Sequence, residues 1–130
     1  MTISVEQIGN DWIAYAQYPS PADHAPEQVT ANSYDLGWLV EDQPEKARET
    51  IQYIVYRYSQ DEILGGQETE ARRVVGLLAA GPLEDFLAAY GRDFVERVEA
   101  EAGRDQRMAW ALGGVWQFTM PDDAWDRVPA

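Results

Sequence analysis

Residues 44–58 read PEKARETIQYIVYRY, and the spacing of the apolar residues in this stretch decides the fold. Ala47, Ile51, Ile54, Val55 and Tyr58 recur at intervals of three and four. That spacing gathers them on one side of an α-helix and would scatter them over both faces of a strand. Pro44 suits the first turn of such a helix, where its missing N–H costs nothing.

The same period extends outward in both directions. Toward the N-terminus, a helix is expected over Glu27–Asp42, with Tyr34, Trp38 and Leu39 as its inner face. The proline-rich 19–26 stretch reads as a loop. Before it, Ser4 and Gln7 form a capping box, with Ile3 and Ile8 at staple positions. Val5, Ile8, Trp12, Tyr15 and Ala16 then share one helical face.

Toward the C-terminus, Gly65-Gly66 breaks the chain and a helix is predicted from Glu68 to Ala80, stopped by Gly81. Pro82 starts the next, with Leu83, Phe86, Leu87 and Tyr90 inward, and Gly91 ends it. Asp93 caps another helix running to about Ala102, and Met108, Leu112, Val115 and Trp116 mark a further one after Asp105. A last turn follows Pro121. No stretch alternates convincingly as a strand. The expected architecture is all-α, a compact array of six to seven short helices forming an irregular bundle or stacked helical hairpins, with residues 1–130 as one domain.

Composition narrows the function classes. Without cysteine there is no disulfide, thiolate metal site or thiol nucleophile. No apolar run approaches the roughly 18 residues of a membrane span, and the first residues lack a signal peptide pattern, so a cytoplasmic, membrane-free, monomeric protein is expected. The chain carries 23 acidic and 10 basic residues, a net charge of −13. Direct binding to nucleic acid or anionic lipid, which requires a basic face, is disfavoured. Residues 1–45 hold eight acids (Glu6, Asp11, Asp23, Glu27, Asp35, Glu41, Asp42, Glu45) and no base.

The run Gly81-Pro82-Leu83-Glu84-Asp85-Phe86-Leu87, then Val98-Glu99 and Ala102, Leu112-Gly113-Gly114-Val115-Trp116, and Trp125 with Arg127-Val128 carry a resemblance. From about Tyr34 to Val128 the chain resembles a family of small bacterial proteins known only as a domain of unknown function. Gln106-Arg107-Met108 departs from that pattern. The resemblance implies a helical fold and a bacterial source, and it brings no catalytic residues.

Candidate chemistry has a structural reading at each position. Asp122, Asp123 and Asp126 match an aspartate-rich diphosphate motif, but a single such run at a helical first turn is explained by the helix dipole. His24, the only imidazole, sits in the proline-flanked loop, poorly placed for a triad. Gly65-Gly66 and Gly113-Gly114 lack phosphate-loop contexts and read as a turn and a close helix-packing point. Glu84 and Asp85 fit a helix start, while Glu68/Arg72, Asp93/Arg97 and Arg97/Glu101 have the spacing of solvated ion pairs. Tyr53, Tyr56 and Trp110 fall off the stripes of their helices, available either to pack under a neighbour or to anchor a partner.

With no catalytic, metal or cofactor residues to name, the expected function is a non-enzymatic acidic domain that binds a basic protein, as an immunity or inhibitor protein does. Asp11, Asp35, Glu41 and Asp42 would steer, with Tyr53 and Tyr56 as anchors. A nucleic-acid mimic that occupies a basic groove is the alternative, and a small carboxylate enzyme the third reading.

Overall fold

In the computed structural model, which describes residues 4–114, the chain is all-α, with no strand among the described residues. Helix α1 (Val5–Ala16) begins where the Ser4 hydroxyl accepts the Gln7 N–H at 3.1 Å. The Gln7 amide reaches forward to Asp11 at 2.9 Å rather than back, so only half of the expected capping box forms. Ile3, expected at the staple, lies outside the described residues. Ile8, Gly9, Trp12 and Ala16 are buried.

The stretch expected as a loop contains a single helical turn, α2 (Pro21–His24). Pro21 sits at its first position, where its fixed φ already suits a helix. Ser20 precedes it in the left-handed region at φ 46°.

Helix α3 (Glu27–Asp42) has the expected bounds and buries Leu39 as expected, but the rest of its inner face differs. Ser33, Leu36, Leu39 and Val40 are buried, whereas Tyr34 and Trp38 are each 62% exposed. Positions 36 and 38 lie about 200° apart around a helix, so the two apolar stripes of α3 cannot both face the core. The aliphatic stripe packs inward, and the aromatic stripe is turned out.

Helix α4 (Pro44–Tyr56) buries Ala47, Ile51, Ile54 and Val55 as its spacing predicts, and Tyr58 just beyond it is also buried. Between α4 and the glycine pair stands a short helix absent from the sequence reading, α5 (Gln60–Leu64). Ser59 accepts from the Glu62 N–H at 3.2 Å and Glu62 accepts from the Ser59 N–H at 3.0 Å, a complete capping box. Gly66, at φ 82°, makes the turn that follows.

The largest departure lies further on. Helix α6 (Glu70–Leu78) does not stop at Gly81; it continues through one π-helical turn, Ala79–Leu83, into α7 (Glu84–Arg104). Pro82 has no N–H to donate, and in a regular α-helix its ring would clash with the carbonyl four residues back; widening the helix by one residue relieves that clash. Gly91, expected as a stop, is buried inside α7, and Asp93, expected as a cap, is an exposed mid-helix residue. Leu87 before Gly91 and Phe94, Val95 and Val98 after it are all buried, which outweighs the roughly 1 kcal/mol penalty of a mid-helix glycine. Joined in this way, Glu70–Arg104 spans 35 residues and does reach the length and apolarity of a membrane-crossing helix, contrary to expectation. Its apolar residues Leu78, Leu83, Phe86 and Leu87 lie in the core.

Helix α8 (Gln106–Gly113) is capped by Asp105 and buries Met108, Ala111 and Leu112. A Cβ on Gly114 would stand 3.1 Å from that of Ala79, the close approach expected of the second glycine pair. Val115, Trp116, the turn after Pro121 and the aspartate motif lie outside the described residues. Around this frame α1 packs on α3 and α4, α7 packs on α8, and α3 lies against the π turn and α7.

Candidate functional site: an aromatic groove between α3 and α7

Turning Tyr34 and Trp38 outward leaves a groove of about 480 Å³ between α3 and the start of α7. On the α3 side stand Tyr34, Gly37, Trp38 and Glu41, spaced as one stripe of a helix, with buried Val40 beneath. Pro82 of the π turn, with Asp85 and Ala89 of α7, forms the opposite wall. The far end is pinned by Tyr90, whose hydroxyl donates to the Glu41 carbonyl at 2.7 Å. That carbonyl is one of the last four of α3, which have no partner inside their own helix. The Tyr90 ring is held in turn by Phe86 and Phe94, with centroids at 5.8 and 6.3 Å. The π turn is part of this wall, and such turns are rare and concentrate at functional sites. Among the described lining residues are two carboxylates and no base.

A second polar cluster lies between α4 and α7. Glu101 is only 8% exposed; one carboxylate oxygen accepts from the Tyr56 hydroxyl and the other from the Gln52 amide. An Arg48 terminal nitrogen stands 3.9 Å away, and the buried Arg48 Nε has no hydrogen-bond partner. Burial first, then the bond to Glu101, pushes the Tyr56 phenol well above its ordinary pKa. Arg107 lies over the Tyr56 ring at 4.6 Å, donates to the Tyr58 carbonyl at 2.9 Å and pairs with Asp105 at 2.7 Å. Its hydrogen bond holds the Asp105 carboxyl below the usual range. Apart from the Arg48 Nε, these polar groups are engaged between α4, α7 and α8, so the cluster reads as a tie between helices.

The residues singled out as a docking surface are dispersed. Glu41 and Asp42 are exposed at the end of α3, and Glu41 lines the groove; Asp35 and Asp11 are half-buried, on α3 and α1. Tyr53 packs on Gly9 and donates to Asn10 at 2.8 Å, and Tyr56 is committed to Glu101. Both tyrosines pack under a neighbouring helix, so the exposed aromatic surface near Glu41 comes from Tyr34 and Trp38 instead. Trp110 is likewise half-buried, with Arg72 over its ring at 5.5 Å. The expected pairs within α7 also give way: Arg97 forks onto Glu45 of α4, with Nη2 3.2 Å from Oε2, and Glu101 turns inward. His24 is exposed, its Nδ1 3.2 Å from the Ser20 carbonyl. No cluster of three or more His, Cys, Asp or Glu side chains suited to a metal occurs among the described residues.

Residues 21–130 match DUF6869, a family of unknown function. The chain belongs to this family. No curated protein and no solved structure matches it. The DUF6869 match takes in α3, the π turn and α7, hence both walls of the groove and the Glu101 cluster; α1 precedes it.

Proposed function

We propose that this DUF6869 protein is a non-enzymatic binding domain that engages a basic protein partner through the α3–α7 groove, in the manner of an inhibitor or immunity protein. The observation that carries the reading is the pair Tyr34 and Trp38, two large rings one helical turn apart and each 62% exposed above an apolar floor. Leaving them in water forgoes burial energy that association recovers, and aromatic anchors of this kind dominate interface affinity.

The charge pattern points the same way. Glu41 and Asp42 occupy the last turn of α3, which has no base, and acids there oppose the helix dipole at about 0.3 to 1 kcal/mol each. They serve no local stability, but beside the groove they attract a cation. The net charge of −13 steers such a partner from a distance. A nucleic-acid mimic would rely on carboxylates alone and has no use for the exposed rings.

The test compares proteins retained from cells of the native source by the wild-type chain, by Trp38→Ala and by Tyr34→Ala. The reading requires a positively charged protein that the wild type holds in a salt-sensitive manner and both variants lose. Equal retention by all three refutes it.

A further inference from the structure

Within that reading, which this inference presupposes, the shape and chemistry of the groove specify the group it takes. We infer that the groove receives an arginine side chain of the partner, its guanidinium laid against the Trp38 and Tyr34 rings and hydrogen-bonded to Glu41 or Asp85.

Three observations carry this. First, the groove is lined by two aromatic residues and by acidic residues from opposite walls, with no base among its described lining residues. A guanidinium is the group that answers both: it is planar, weakly hydrated, stacks on rings, and offers paired donors to a carboxylate, whereas an ammonium is a strongly hydrated point charge. Second, the protein uses this pairing repeatedly within its own chain. Arg72 lies 5.5 Å from the Trp110 centroid, Arg97 5.1 Å from that of Phe94 while paired with Glu45, and Arg107 4.6 Å from that of Tyr56 while paired with Asp105. The last two reproduce the inferred arrangement of ring, guanidinium and carboxylate. Third, Gly37 also lines the groove, and a Cβ there would meet nothing within 4 Å in the folded protein. A mid-helix glycine with no packing contact of its own leaves that part of the groove unfilled by the protein's own side chains.

The experiment is an amide and indole NMR titration of the isotope-labelled protein with three short peptides, identical except for a central arginine, lysine or citrulline. The arginine peptide is expected to shift the Gly37 amide and the Trp38 indole, the latter identified by its loss in Trp38→Ala. Citrulline keeps the planar shape without the charge and should bind at least about tenfold more weakly, as should the arginine peptide to Trp38→Ala. Glu41→Gln combined with Asp85→Asn should weaken arginine binding while leaving the fold, read from the remaining amide peaks, unchanged. Equal binding of the citrulline or lysine peptide, shifts confined to other surfaces, or no binding at all overturns the inference. If the peptides fail in this way while Trp38→Ala still abolishes retention of the basic partner, the arginine anchor is wrong and the docking groove stands.

Discussion

The Tyr56 hydroxyl on α4 donates to one oxygen of Glu101 on α7, while Gln52, one turn earlier on α4, donates to the other. A carboxylate this deeply buried is stable only while both donors are present. Tyr56→Phe is therefore expected to cost about 1.5 to 3 kcal/mol, against about 0.5 to 1.5 for Tyr53→Phe, whose bond is to a neutral amide. Denaturant melts of the two variants compare them directly. The same bond carries a pH signature. Tyr56 has a raised pKa in the folded state, so the unfolded chain ionises first, near pH 10. Its stabilisation is complete below about pH 10 and is lost as pH rises further. Tyr58 is displaced the same way, so Tyr56→Phe should flatten the alkaline loss of stability without abolishing it.

At the other end of the scale, Asp105 both caps α8 and pairs with Arg107. Asp105→Ala should cost about 1 to 2 kcal/mol at neutral pH. Because its folded pKa is depressed, that contribution is present above about pH 4 and lost as pH falls through the folded value. Melting curves of wild type and variant should converge on acidification.

Two glycines give opposite expectations. A Cβ on Gly9 would stand 2.4 Å from Tyr53 Cδ1, inside the α1–α4 contact, so Gly9→Ala should destabilise by about 1 to 3 kcal/mol. Gly37 is in open space, so Gly37→Ala should stabilise by about 0.5 to 1 kcal/mol. Thermal melts of the pair test the packing, and a more stable Gly37→Ala protein that binds its partner less well would separate stability from function at the groove.

Periodicity made the helices legible wherever a single apolar stripe was present, as in α4 and α6. On α3, which carries two, it places Leu39 inward but misjudges the rest: Leu36 and Val40 compete with Tyr34 and Trp38, and ring size alone does not tell which stripe meets the core. The candidate groove was thus hidden by the assumption that large aromatics go inside. Local stop signals failed at Gly81 and Gly91 because burial of Leu83, Phe86, Phe94 and Val98 sustains the helix past them. Ser59 and Glu62 were a readable capping box that periodicity overlooked, α5 being too short to show a stripe. Nothing local marks Glu101 for burial: four residues from Arg97 it resembles a surface ion pair, and only the packing of α7 on α4 turns it inward.

If exposed rings beside carboxylates on α3 hold a basic partner, the kinetics of that complex carry both contributions. The dissociation rate of Trp38→Ala should rise at least about tenfold over wild type, while neutralising Glu41 and Asp42 should mainly slow association and flatten its salt dependence. Unchanged rates in both variants, with binding lost instead on substitution around Arg97 and Arg107, would contradict the account.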